Sequence, residues 1–243
     1  MLTTTVQAAA SRRDLLIHDI RTPLGTISGY AQLLLRRAAQ GGPELLALVD
    51  ALQHIDEAAR RVGNLLGELA DVQTQSGTPA GILHREPTDL VQLARRVAAD
   101  SERASPGRCQ GMVLQAVPEL VGLWDPARLE RAISNLIDNA LKYSRDDRPV
   151  VVTVQQADAW AVVNVADGGV GIPPAELPRI FEPGYRASNV VGRFHGTGLG
   201  LAGVHHIVTE HGGTIVVESQ IGIGTTATVR LPLEYPCDEK YPS

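Results

Sequence analysis

Four polar or aromatic residues stand at helical spacing in the segment RLERAISNLIDNALKYS, residues 128–144. Asn135 and Asn139 are four positions apart and share one helix face, and Lys142 and Tyr143 follow one turn later. Two amides, an ammonium group and an aromatic ring could together hold a hydrated Mg²⁺, a phosphate and a flat base. Taken alone, such a pattern is more often a helix with a polar outer face.

A glycine-rich turn, Asp167-Gly168-Gly169-Val170-Gly171-Ile172, directly follows a segment with strand character. Its glycines would let the backbone approach a ligand closely. The Asp167 carboxylate, at the end of the strand, could accept a hydrogen bond from an exocyclic amine. A tight turn with no ligand is the ordinary explanation for this segment by itself.

A second glycine-rich segment, Gly196-Thr197-Gly198-Leu199-Gly200-Leu201, opens a predicted helix that ends at Gly212-Gly213. Glycines at a helix N-terminus offer unpaired N–H groups to an anion. No strand precedes the segment and no βαβ unit surrounds it, which argues against a dinucleotide fingerprint, and no GxxxxGK[ST] P-loop occurs. Residues 180–195, between the two glycine segments, predict a flexible loop anchored by Phe181.

Taken in chain order, these four segments resemble the N, G1, F and G2 boxes of the GHKL ATP-binding fold, which histidine kinases, gyrase, Hsp90 and MutL share. The loop at 180–195 corresponds to the F box and the segment at 196–201 to the G2 box. The resemblance covers about residues 82–233 and implies ATP and Mg²⁺ as ligands. It implies that Asn139 binds Mg²⁺, Lys142 the phosphates and Asp167 the adenine amino group, with Tyr143 beside the base. The other implied nucleotide-binding positions are Asn135, Gly169, Gly171, Ile172, Gly196, Thr197, Gly198, Leu199, Gly200 and Leu201, with residues 173–200 as the lid.

Position 135 separates two kinds of GHKL protein. The members that hydrolyse ATP place a glutamate there to activate water, whereas this chain has Asn135. An amide cannot act as a general base at neutral pH. The site is therefore expected to hold ATP for transfer of a phosphoryl group to another acceptor.

A candidate acceptor stands in the segment His18-Asp19-Ile20-Arg21-Thr22-Pro23. Ile17 and Ile20 belong to an apolar helical seam, so the His18 imidazole is expected to face solvent. A neutral imidazole is a good nucleophile once its other nitrogen is fixed by a hydrogen bond, and Asp19 is placed to do this and to take up the proton. Pro23 clashes with the Asp19 carbonyl, which predicts a helix bend beside His18.

Residues 14–35 resemble the H box of sensor histidine kinases. The resemblance implies an ATP-dependent protein-histidine kinase in which His18 receives the γ-phosphoryl group and passes it to an aspartate of a separate response regulator. Thr22 matches the family position that orients a water molecule for dephosphorylating the regulator, which implies a phosphatase activity as well. The implied catalytic residues are His18, Asp19, Thr22 and Lys142.

Two positions depart from the family pattern. Gly168 stands where the family usually has asparagine, which alters a pocket contact. Gly184 stands where it usually has a second phenylalanine, so an apolar anchor beneath the lid is missing and a looser lid is expected. Two alternatives stay open: a GHKL-type protein-serine kinase, which would lack the H-box hairpin, and a non-catalytic, dimeric signalling scaffold that binds ATP.

Two heptad seams must position His18. Apolar residues recur at spacings of three and four in each, and Gln40-Gly41-Gly42-Pro43 separates them. The predicted structure over residues 1–76 is a two-helix hairpin that pairs with a second copy into a four-helix bundle, giving a homodimer. The seam residues are Ile17, Ile20, Leu24, Ile27, Ala31, Leu34 and Ala38, then Leu45, Leu48, Leu52, Ile55, Ala59, Val62, Leu66 and Leu69.

Beyond a linker at residues 77–81, the pattern changes to helices at 88–103 and 126–144 and strands at 150–154, 160–166, 214–219 and 225–231. Such mixing predicts an α+β sandwich over residues 82–234, in which helices cover one face of a mixed sheet. Residues 235–243 are expected to be a loose tail.

The bulk composition excludes several functions. With 22 Lys and Arg against 27 Asp and Glu, the net charge is −5, a poor basis for binding nucleic acid. Two distant cysteines without a CxxC spacing argue against a disulfide framework and against a cysteine zinc site. No apolar stretch approaches the roughly 20 residues that span a bilayer, so no membrane segment and a cytoplasmic location are expected.

Overall fold

The computed structural model describes residues 23–38, 47–49, 51–52, 54–55, 58–59, 62, 83–104, 111–145, 147–194 and 196–233. The chain divides into two compact units, Met1–Pro79 and Ala80–Ser243, and this division falls inside the predicted linker. His18, Asp19, Thr22, the 40–43 break and the tail at 235–243 lie outside the described residues. In the parts that are described, no helix has the length and apolar character needed to cross a membrane.

The first unit is helical wherever it is described. Helix α1 covers residues 23–38, and α2 is described at positions 47–49, 51, 52, 54, 55, 58, 59 and 62. The rings of Tyr30 and His54 stack with centroids 4.6 Å apart, so the two helical segments contact each other. Ala51 is buried within the single chain, whereas Leu24 and Leu52 of the predicted seams are exposed. The hairpin thus leaves large apolar side chains uncovered.

The second unit mixes helices and strands. In chain order they are β1 (Glu86–Asp89), α3 (Leu90–Ala104), β2 (Met112–Ala116), β3 (Val121–Trp124), α4 (Pro126–Tyr143), β4 (Val150–Ala157), β5 (Trp160–Asp167), a 3-10 helix (Pro174–Arg179), α5 (Gly200–Glu210), β6 (Thr214–Gln220) and β7 (Gly224–Pro232). The sequence predicted every element from α3 onward except β2, β3 and the 3-10 helix, and it did not predict β1.

The central sheet has the strand order β2-β4-β5-β7-β6. β2 runs parallel to β4, and the other neighbours are antiparallel, so the sheet is mixed as predicted. One face of it, including Val152, Val163 and Val229, joins α3, α4 and α5 in a single hydrophobic core. β1 and β3 form a separate two-stranded ribbon. The prediction of an α/β sandwich is confirmed.

A buried histidine holds the start of α4 against the end of α5. The Asp125 side chain caps α4 by accepting from Arg128 N at 3.1 Å, and the Asp125 backbone N donates to His211 Nε2 at 3.0 Å. His211 Nδ1 lies 2.8 Å from the Ile207 carbonyl oxygen, so the neutral ring donates at Nδ1 and accepts at Nε2. Burial lowers the pKa of His211 and favours this neutral form. The contact fixes α5 antiparallel to α4, with its first residue beside the later turns of α4.

Candidate nucleotide-binding site

The two asparagines of α4 lie at the beginning of α5. A Cβ placed on Gly200 would lie 3.6 Å from Asn135 Oδ1 and 3.8 Å from Asn139 Nδ2. α5 begins at Gly200, four residues later than predicted, because Gly196 and Gly198 adopt positive φ angles of 153° and 74° that do not continue a helix. Both amides therefore face a helix N-terminus, where backbone N–H groups have no partner within the helix.

The ammonium group of Lys142 lies against the glycine loop that precedes α5. A Cβ on Gly196 would be 2.7 Å from Lys142 Nζ, so a larger residue there would displace the charge. Leu199 is buried and Leu201 packs against the hydrophobic core, so these two residues could offer a ligand only their backbone. The Thr197 hydroxyl accepts from Leu199 N at 3.3 Å. A positive charge and a glycine backbone at a helix start together suit phosphate.

Asp167 begins a turn that packs against Tyr143, at the C-terminus of α4. Gly169 N donates to Asp167 Oδ1 at 2.7 Å, and Val170 N donates to the Tyr143 carbonyl at 3.2 Å. A Cβ on Gly169 would lie 2.1 Å from that carbonyl oxygen, so only glycine allows this approach. Burial raises the pKa of Asp167 to about 6, although backbone N–H groups of Gly169 and Thr225 partly oppose the shift.

The rest of the glycine turn is fixed against the end of β6. Gly171 has φ 67°, and a Cβ on it would lie 2.1 Å from the Gln220 carbonyl oxygen. Ile172 N donates to Ser219 Oγ at 2.8 Å, and Gly222 N donates to the Val170 carbonyl at 2.9 Å. These contacts fix residues 170–172, which complete the turn that begins at Asp167.

Phe194, which the sequence did not single out, packs on the aromatic ring of Tyr143. The ring centroids are 5.1 Å apart and the rings meet edge to face at 73°. Lys142 Nζ lies 5.1 Å from the Tyr143 centroid on α4. Phe194 stands in an irregular stretch without periodicity, so no local pattern could have associated it with the site.

The lid has apolar and polar contacts of its own close to Gly184, and the looser lid expected from Gly184 stays a prediction. Ala187 and Val190 are buried and supply apolar anchors within the lid itself. Arg186 Nη2 donates to the backbone carbonyls of Val190 and Phe194. The described lid residues therefore fold on themselves instead of depending on a side chain at position 184.

The departure at Gly168 also has a structural explanation. A Cβ on Gly168 would lie 2.2 Å from Cδ and 2.9 Å from Cβ of Arg148, so the aliphatic part of Arg148 occupies the space of the missing side chain. Gly168 and Arg148 thus form a complementary pair beside Asp167.

This pair leads to a rescue prediction. Gly168→Asn should weaken ADP binding by about tenfold, because an overpacked side chain costs on the order of 1–3 kcal/mol and would displace the turn that holds Asp167. Adding Arg148→Ala should recover most of the affinity, as measured by titration calorimetry. The matched control is Arg145→Ala in the Gly168→Asn background, because Arg145 approaches Gly222 instead. Equal recovery with either arginine variant would contradict the pairing.

The donor set at the α4–α5 junction fits Mg²⁺ carried by ATP. Mg²⁺ in such sites takes few protein ligands and keeps water and substrate phosphates, and the Asn139 amide can supply one neutral oxygen ligand. Within the described residues, no group of three His, Cys, Asp or Glu side chains could hold a metal ion by itself. The phosphates would therefore supply most of the charge that holds the cation.

A mixed sheet covered by helices, with these groups gathered where α4 meets α5, defines a GHKL-type nucleotide-binding domain. Residues 124–235 match the family model described as "Histidine kinase-, DNA gyrase B-, and HSP90-like ATPase". Residues 16–76 match the "His Kinase A (phospho-acceptor) domain". The chain therefore belongs to the sensor histidine kinase family, as its H box and nucleotide boxes predicted.

Relatives and solved structures agree with this family. The chain is 33% identical to the phosphate regulon sensor protein PhoR of Pseudomonas aeruginosa over 214 residues, which are 87% of this chain and 47% of PhoR. It is 33% identical to the histidine protein kinase DivJ of Caulobacter vibrioides, covering 89% of this chain and 36% of DivJ. The structure of the mycobacterial sensor histidine kinase MprB is 30% identical with a TM-score of 0.54, covering 61% of this chain and 97% of that one. The chain spans less than half the length of these two curated relatives.

Proposed function

We propose that this chain is the catalytic core of a two-component histidine kinase that transfers the γ-phosphoryl group of ATP to His18. The proposal rests on two features found in one chain: a phosphoacceptor-type segment and a nucleotide site without a water-activating carboxylate. A phosphoacceptor-type match surrounds His18, and the nucleotide site has an amide, Asn135, where a water-activating carboxylate would serve hydrolysis. ATP held without such a base is suited to transfer to a protein acceptor.

In the proposed reaction, an imidazole nitrogen of His18 attacks the γ-phosphorus. The new N–P bond forms as the bond from the γ-phosphorus to the β,γ-bridging oxygen breaks, and ADP leaves with that electron pair. Asp19 holds the other ring nitrogen and takes up the proton that the ring releases. When bound, Mg²⁺ neutralises negative charge on the phosphates.

The described residues would bind and orient the nucleotide for this transfer. In this proposal Lys142 and the backbone of Gly196–Gly200 would hold the phosphates, and Asp167 and Tyr143 would contact the adenine; the contact of Lys142 with Gly196 and of the glycine turn with Tyr143 supports this assignment. The Asp167 carboxylate can only accept hydrogen bonds when it is ionised, and the adenine amino group can donate one to it. The proposal thus gives the phosphates a cation and the adenine amino group a hydrogen-bond acceptor.

We further propose that phospho-His18 passes its phosphoryl group to an aspartate of a separate response regulator. The functional unit would be a homodimer through residues 1–76. Exposure of Leu24 and Leu52, both at predicted seam positions, supports this, because a second hairpin would cover them. The cytoplasmic location stays a prediction.

Thr22 would give the same chain a phosphatase activity toward its regulator. We expect Thr22→Ala to slow dephosphorylation of the phosphorylated regulator by about tenfold or more while autophosphorylation is retained, since the hydroxyl would orient the attacking water. Following labelled regulator over time in the presence of ADP tests this. Unchanged dephosphorylation by the variant would refute the role of Thr22.

The proposed kinase activity is tested by the chemistry of the phosphorylated protein. Incubation with Mg²⁺ and γ-labelled ATP should give label that is stable in alkali and lost in acid, as expected for a phosphoramidate. Acid-stable label would favour the protein-serine kinase alternative. Nucleotide binding without any label would favour the scaffold alternative.

A further inference from the structure

Glu176, in the 3-10 helix after the glycine turn, accepts hydrogen bonds from two residues of the lid. Ser188 N donates to Glu176 Oε2 at 2.8 Å, Ser188 Oγ donates to Oε1 at 2.5 Å, and the Tyr185 hydroxyl donates to Oε2 at 3.0 Å. The hydrogen bonds from Ser188 lower the pKa of Glu176 and keep it ionised as an acceptor. One carboxylate thus ties residues 185 and 188, in the middle of the lid, to the 3-10 helix at the start of the lid.

A further hydrogen bond joins Asn189, the next residue of the lid, to the glycine turn. Asn189 Nδ2 donates to the Gly171 carbonyl oxygen at 2.8 Å. Gly171 is part of the turn that holds Asp167, and Asn189 directly follows Ser188 in the lid. We call these five residues the lid clasp: Gly171, Glu176, Tyr185, Ser188 and Asn189.

The remainder of the lid has a different character. Val191, Gly192 and Arg193 are exposed, and Gly192, Gly196 and Gly198 all have positive φ. Residues 185–189 are thus attached by side-chain hydrogen bonds to the 3-10 helix and to Gly171, whereas residues 191–194 are held by backbone hydrogen bonds to Ala187 and Val190 within the lid.

We propose that Glu176 is a positioning residue that, through the lid clasp, holds residues 185–189 of the lid beside the glycine turn and so slows nucleotide release. The inference rests on the proposed binding of ATP by this domain. Because the clasp exists without ligand, its loss should affect release of bound nucleotide far more than its capture.

Stopped-flow fluorescence with mant-ADP and Mg²⁺ tests the clasp in the full chain. Glu176→Ala should raise the dissociation rate by about tenfold and change the association rate less than about twofold, because residues 185–189 would no longer be held in place beside bound nucleotide. Ser188→Ala should have a smaller effect, since its backbone N–H still donates. Glu176→Gln should lie between wild type and Glu176→Ala.

A double-mutant comparison separates positioning from general destabilisation. Glu176→Ala/Ser188→Ala should release mant-ADP at the rate of Glu176→Ala alone, because both changes remove one interaction. The matched control is Glu182→Gln, which makes the same change of charge near the clasp but affects a surface pair with Arg179. It should leave the release rate unchanged.

The outcomes distinguish the clasp from the proposed function. If wild type binds mant-ADP and Glu176→Ala releases it at the wild-type rate, or if Glu182→Gln has an equal effect, the clasp is refuted and ATP binding stands. If the double variant raises the release rate by the product of the two single-variant factors, Glu176 and Ser188 do not act through one shared interaction. If folded wild type binds no mant-ADP, the proposed function falls, and the clasp falls with it.

Discussion

His18→Gln reduces incorporation of label from γ-labelled ATP to below about one-thousandth of the wild-type level, because an amide nitrogen cannot replace the nucleophile of the transfer. ADP affinity stays within about twofold, since the nucleotide groups all lie in the second unit and are unchanged. Label is measured on denatured protein after gel separation, and affinity by titration calorimetry.

The matched control for this result is His54→Gln, which makes the same substitution in the same unit at a ring that stacks on Tyr30. This variant should retain most of its label. Persistence of acid-labile label in His18→Gln would show that another side chain accepts the phosphoryl group. Loss of label together with loss of ADP binding would show instead that the variant is misfolded.

Asp167→Asn weakens ADP binding by about ten- to hundredfold at pH 7.5, because a charge-assisted hydrogen bond to the adenine amino group is replaced by a neutral one. The affinity of wild type should also depend on pH. With a pKa of about 6, the carboxyl is ionised above that pH and accepts from the base. Below it, the proton must first leave, so the dissociation constant should rise as pH falls through about 6.

The same carboxyl should make the ligand-free protein less stable at neutral pH than its asparagine variant. Because the folded-state pKa is raised from 3.8 to about 6, the folded state holds the proton more tightly than the unfolded state. Unfolding free energy therefore falls as pH rises from about 4 to about 6 and stays low above it. The shift corresponds to a few kcal/mol at most, roughly 1.4 kcal/mol per pKa unit. Asp167→Asn should thus raise the melting temperature at pH 7.5 while weakening nucleotide binding.

Asp158→Asn is the control for both effects. Asp158 is exposed in the turn between β4 and β5, at φ 53°, a conformation that asparagine adopts readily. It should change neither affinity nor stability by more than about twofold or about 0.5 kcal/mol. Comparing the variants at each pH removes the titration of ADP itself, which is common to all. A wild-type affinity that parallels Asp167→Asn across pH 5–8 would argue against the role of Asp167.

Much of the fold was predictable because its signals are local. The helical spacing in residues 126–144 and the β-branched runs of β4, β5, β6 and β7 depend on residues close in sequence. The order of the nucleotide boxes and the histidine motif likewise predicted the family, which the matches confirm. The sequence did not predict β1, β2 and β3 because each has only four or five residues. Pro87, Gln115 and Gly122 also interrupt the run of strand-forming residues in β1, β2 and β3, respectively. Each of these strands is defined mainly by the strand that it pairs with.

By itself, the sequence determined which residues could bind a nucleotide and accept a phosphoryl group, since residue type and spacing are written in it. The tertiary structure alone decided which of the described residues meet. Gly200 reaches Asn135 because His211 fixes α5 along α4, and Gly168 accommodates Arg148 because the turn after β5 folds back over it. Glu176 accepts hydrogen bonds from Tyr185 and Ser188 because the lid returns to the 3-10 helix. Such contacts join residues far apart in the chain, so no local pattern encodes them; they follow from how the sheet and helices pack.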